Sequence, residues 1–216
     1  MTGDTLPEAD PRLRALAVTV GALTALWVGV LLDGFQSGTA LVALLPALLA
    51  AVPVTLPARL RPAVDTVVAG VVTIGSVLTV NDAGIHYFPL VMLLWATAVV
   101  PWRMRHHRGP AAVRLWHLAA GLLVSLPGLA ALGALSEEML MVDAIGLLYI
   151  AGPVALGVLC AFKIRTGYAV IALIGTASLI LALLDGGFLF AAFWWFGGMY
   201  LTIGAVGWIT TPARTA

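Results

Sequence analysis

Long apolar stretches alternate with short polar breaks along the whole chain. Eight such stretches can be read, at residues 15–32, 38–57, 63–80, 84–102, 112–134, 143–162, 168–184 and 187–210. Each approaches the about 20 apolar residues that a helix needs to cross the hydrocarbon core of a bilayer. Several breaks are little more than turn chemistry: Asp33-Gly34, Asn81-Asp82-Ala83-Gly84 and Asp185-Gly186-Gly187. The stretches lack two-residue alternation, and open sheets cannot cross lipid, so helices are the expected element. The pattern predicts one all-α transmembrane domain over residues 1–216, with eight membrane helices in four hairpins.

Composition sharpens this expectation. Hydrophobic types make up 62% of the 216 residues and charged types 10%. Soluble domains run nearer 45–50% apolar and about 25% charged, so the surplus has to face lipid. That excludes a soluble enzyme, a nucleic-acid binder and a disordered chain. Cys160 is the one cysteine, so no disulfide can form within the chain. The acidic start, with Asp4, Glu8 and Asp10, does not read as a secretory signal.

The net charge of +1 says little; the placement of the charges says more. Arg12 and Arg14 precede helix 1, and Arg59 and Arg61 lie between helices 2 and 3. Arg103, Arg105, Arg108 and Arg114 lie between helices 4 and 5. Lys163 and Arg165 lie between 6 and 7, and Arg214 follows 8. With eight crossings all 11 basic residues fall on one side, whereas seven would scatter them. The positive-inside rule makes that side cytoplasmic, so both termini are expected in the cytoplasm and the chain in a bacterial inner (plasma) membrane. Helix-start signals agree. Asp10-Pro11, Pro62 and Pro110 suit the inner ends, and Ser37, Asp82, Asp143 and Asp185 the outer ends.

The halves of the chain correspond faintly. Arg59-x-Arg61 recurs as Lys163-x-Arg165, Asp33 as Glu137, and Asp82-Ala-Gly as Asp185-Gly-Gly. An even number of helices per half would make this a parallel 4+4 repeat, as in some transporters. Helix 1 also carries a small-residue seam, Ala17, Gly21, Ala25 and Gly29. Four-residue steps share a face and let two backbones approach. Packing within the bundle is the plain use of such a seam; a second copy or another membrane subunit is the other. Pro46, Pro53, Pro89, Pro127 and Pro153 are expected to kink their helices.

Candidate chemistry is sparse. Every Arg and Lys sits at a predicted helix end, which argues against a midplane carboxylate relay. Asp65 is the deepest acid; Arg61, four residues earlier, is its expected ion-pair partner. Asp33, Asp82, His86, Tyr87, Glu137, Glu138, Asp143 and Asp185 could form an acidic outer vestibule that concentrates cations. Caps and turns explain several of them equally well, and no metal motif or cofactor is implied. Helix 8 carries Phe193-Trp194-Trp195-Phe196 and Tyr200. Aromatic faces of this kind pack bulkily or stabilise a cationic intermediate.

Three functions fit. One is a transporter or the membrane subunit of a transport complex. Another is an intramembrane enzyme on a lipid or isoprenoid, with Asp185, Asp82 or Asp33 as acid. A third is a non-catalytic membrane partner or assembly factor using the helix 1 seam.

Overall fold

The computed structural model describes residues 9–31, 39–79, 84–106, 110–137, 144–162, 164–185 and 190–211. Every element among them is helical. The order is α1 (Pro11–Leu31), α2 (Thr39–Thr55), α3 (Arg61–Leu78), a 3-10 turn (Gly84–Tyr87), α4 (Phe88–His106), α5 (Pro110–Glu137), α6 (Ala144–Ala161), α7 (Arg165–Asp185) and α8 (Phe190–Thr210).

Local chemistry sets several of these boundaries. The Asp10 carboxylate accepts the Arg12 backbone N–H at 2.8 Å, capping α1 ahead of Pro11. Pro62 and Pro110 stand in the first turns of α3 and α5, where a missing N–H costs nothing. Pro46, Pro53, Pro127 and Pro153 lie inside helices. Pro89 does not kink a helix as expected, because the chain re-enters through the 3-10 turn and Pro89 becomes the second residue of α4. Gly84 is demanded by that turn. Its N–H bonds the Thr79 carbonyl at 2.7 Å, and a Cβ there would lie 2.7 Å from the Thr79 carbonyl carbon.

The chain divides into two compact units, Met1–His106 and His107–Ala216. In the first unit α1 packs on α2 and α4, and α3 packs on α2 and α4. In the second, α5 packs on α6 and α8, and α7 packs on α6 and, most extensively, on α8. Each unit is thus a ring of four helices with the same neighbour order.

The helix surfaces point the wrong way for water. On α3, Asp65, Val68, Ala69 and Val72 are buried. The opposite face exposes Val67, Val71, Ile74, Val77 and Leu78. A soluble domain with such a face would associate through it. Among the described residues, four helical segments are long and apolar enough to cross a membrane: Pro11–Val30, Arg61–Leu78, Gly84–Arg103 and Arg165–Leu184. Shorter apolar stretches occupy Ala43–Thr55, Val113–Leu129 and Ala151–Ala161.

The small-residue seam of α1 lies inside the first unit. Ala17, Gly21, Ala25 and Gly29 are all buried. A Cβ on Gly21 would sit 3.3 Å from the Leu90 methyls of α4 and 3.4 Å from the Ala47 Cα of α2. Gly21→Leu should therefore destabilise the unit by about 1–3 kcal/mol through overpacking. Thermal unfolding in detergent will read that loss, and the oligomeric state will stay as it is.

Candidate functional site

Among the described residues, each unit buries a polar side-chain pair that joins its first and third helices. In the first unit Arg14, in the first turn of α1, meets Asp65, in the second turn of α3. Arg14 Nη2 donates to Asp65 Oδ2 at 2.8 Å, with side-chain exposures of 7% and 2%. Arg61, the partner expected from sequence, turns away: its Nε donates to the Leu56 carbonyl at 2.8 Å. The reason is geometric. Asp65 faces the interior with Val68, Ala69 and Val72, and α1 brings a longer-range cation to that face. An ion pair this dry holds together because neither charge has water to fall back on.

In the second unit His117 of α5 meets Tyr168 of α7. Nδ1 lies 2.5 Å from the Tyr168 hydroxyl, with ring centroids 5.7 Å apart. The Tyr168 hydroxyl also reaches the Cys160 carbonyl of α6 at 3.4 Å. One assignment satisfies all three groups: a neutral imidazole donates from Nδ1 to the hydroxyl, which donates on to the carbonyl. The Tyr168 ring packs against Gly207 of α8, where a Cβ would collide with it. Tyr168 thereby touches all three other helices of its unit. Around it pack Ala120, Val124, Cys160, Ile171, Tyr200 and Ile203.

The two pairs share a register. Both span 51 residues, and both partners shift together by 103, from 14 to 117 and from 65 to 168. Their surroundings follow. Ala17, Gly21 and Ala25 of α1 fall where α5 has Ala120, Val124 and Gly128, all six buried. Val68 and Val72 of α3 fall where α7 has Ile171 and Gly175, again buried.

No known protein family, curated protein or solved structure matches the chain.

The other sequence candidates are distributed as follows. Asp33, Asp82, Glu138 and Asp143 lie outside the described residues, as do the side chains of Glu137 and Asp185. Tyr87 is buried in the 3-10 turn, and its hydroxyl donates to the Ala43 carbonyl of α2, while His86 beside it is half-buried. Among the described residues no three His, Cys, Asp or Glu side chains gather as a metal site would require. On α8, Trp194 is buried and Trp195 faces outward. Tyr200 is buried too, and its hydroxyl donates to the Val124 carbonyl of α5 at 2.7 Å. Trp194 and Tyr200 thus lie in the second unit's interior, and Tyr200 ties α8 to α5.

Sequence reasoning missed Arg14 as the mate of Asp65, and it missed the His117–Tyr168 pair. Of the correspondences read from the sequence, only Asp82 with Asp185 carries the 103-residue offset of these pairs, and the other two run at 104, so the register was not legible from them. It was hidden because an ion pair in one half answers a neutral pair in the other, so no residue type repeats at these positions.

Proposed function

We propose that the chain is a transport-type protein of a bacterial plasma membrane, or the membrane subunit of a transport complex. In this reading it crosses the bilayer eight times with both termini in the cytoplasm. Its halves are parallel repeats of a four-helix unit, and lipid covers the outward apolar faces. The observation that carries the reading is the matched pair of buried polar contacts, Arg14–Asp65 and His117–Tyr168. A bundle that only anchors a partner gains little from a buried ion pair, since apolar packing of similar volume is as stable. Ionisable groups retained inside membrane bundles mark pathways and moving parts. Tandem parallel repeats are an architecture in which one unit moves against another.

The test does not need the substrate. Single cysteines replace the buried Thr24 of α1 and Thr202 of α8 in a Cys160→Ala background. Sealed vesicles of both orientations are then treated with a membrane-impermeant thiol reagent. A transport protein exposes the same interior position alternately to both sides, so each cysteine is expected to label from both. Labelling from neither side, or from one side alone, overturns the reading. Reporter fusions at the two termini check the topology; opposite sides would refute it.

A further inference from the structure

Arg165 opens α7, and its guanidinium lies 4.2 Å over the ring of Trp208, near the end of α8. The stacked face leaves the guanidinium edge, where the N–H donors are, for another partner. Among the described residues none supplies one: Arg165 Nε is buried and meets no acceptor. Thr211 stands one turn beyond Trp208, its N–H bonded to the Gly207 carbonyl at 3.0 Å, so it continues the last turn of α8. Its side chain is more than nine-tenths buried, at 8% exposure, and its hydroxyl also meets no acceptor or donor. Two buried polar groups without partners thus lie at one end of the α7–α8 pair. Each costs free energy as it stands, and that cost is relieved by a ligand carrying acceptor oxygens and negative charge. The first-turn N–H groups of α7 at the same end favour an anion as well.

The first unit supplies an internal contrast. Arg61 opens α3 as Arg165 opens α7, yet its Nε is satisfied by the Leu56 carbonyl. Trp102 stands two to three positions before 104 and 105, where the counterpart of Trp208 would fall. Among the described residues the unsatisfied Nε is therefore particular to Arg165 and is not shared by both basic helix starts.

We propose that Arg165, Trp208 and Thr211 form a binding site for the phosphate of an anionic phospholipid, seated at the end of the α7–α8 pair. The proposal rests on the membrane reading above, in which this end lies at the cytoplasmic interface. There a lipid phosphate is the most concentrated anion, and a tryptophan ring sits at headgroup depth. Lys163, two positions before Arg165, adds a second positive charge to the same stretch of sequence.

The experiment uses the full chain in detergent, titrated with phosphatidylglycerol, phosphatidylcholine or inorganic phosphate and read by native mass spectrometry. One tightly held phosphatidylglycerol is expected, with phosphatidylcholine weaker. Arg165→Gln should lower the phosphatidylglycerol affinity about tenfold, the size of one charge-assisted contact, while Arg61→Gln leaves it unchanged. Thr211→Val keeps the side-chain shape, removes only the hydroxyl, and should lower the affinity about threefold without lowering the unfolding temperature in lipid-free detergent. Wild-type affinity in both the Arg165 and Thr211 variants overturns the proposal. So does complete displacement of the lipid by millimolar inorganic phosphate, which would make free phosphate the occupant. The readout is independent of transport. Two-sided thiol labelling with no phosphatidylglycerol adduct removes the lipid site alone, and an adduct without two-sided labelling removes the transport reading alone.

Discussion

Asp65→Leu should cost the protein about 3–5 kcal/mol of stability, the penalty for stranding one partner of a buried ion pair. The guanidinium of Arg14 is left in the interior of the first unit, where its carboxylate now sits at 2.8 Å. Equilibrium unfolding in detergent measures the loss. The informative comparison is the double variant Arg14→Met with Asp65→Leu. It removes both charges and fills similar volume, so most of the lost stability should return. If the single variant unfolds like wild type, Arg14 and Asp65 are not paired in a dry interior. If the double variant is no better than the single, the pair does more than neutralise itself.

The second large effect lies on α7 and α8, where the backbones nearly touch. A Cβ on Gly175 would come 2.7 Å from the Gly197 carbonyl oxygen and 2.9 Å from the Leu201 Cα. One on Gly204 would come 2.7 Å from the Tyr168 carbonyl oxygen and 2.7 Å from the Ala172 Cα. Backbone atoms cannot swing aside as a side-chain tip can. Gly204→Val should therefore force the helices apart and cost about 3 kcal/mol, at the upper end of overpacking penalties. Gly70→Ala on α3 is the control, because nothing lies within 4 Å of a Cβ there. With free space and a helical backbone, alanine should stabilise by about 0.5–1 kcal/mol. Unfolding transitions of the two variants should move in opposite directions; a matching shift would mean that the close α7–α8 approach is wrong.

Much of the helical layout was legible in the chain because hydropathy and end chemistry repeat the same message. Asp10-Pro11, Pro62 and Pro110 each open a helix where the apolar pattern begins. Helix ends moved by a few residues where local rules were silent. The 3-10 turn at Gly84–Tyr87 is one such place, since nothing in the apolar run of 84–102 separates a tight turn from the helix that follows. The buried polar pairs were harder. Asp65 looked toward Arg61 because four-residue spacing favours local partners. What decided its mate was which face of α3 meets α1, a tertiary fact that sequence spacing does not carry. His117 and Tyr168 look unremarkable in isolation, and only the geometry of α5 against α7 joins them.

Tyr168 answers to four positions at once: His117 at its hydroxyl, the Cys160 carbonyl beside it, Gly207 beneath its ring and Ile171 one turn along. Such a residue cannot drift alone. A smaller side chain at 168 leaves a gap above the glycine and strands the imidazole; a bulkier one at 207 displaces the phenol. Substitutions at 117, 168 and 207 are therefore expected to be non-additive, because a change at one alters the space or the hydrogen bond on which the others depend.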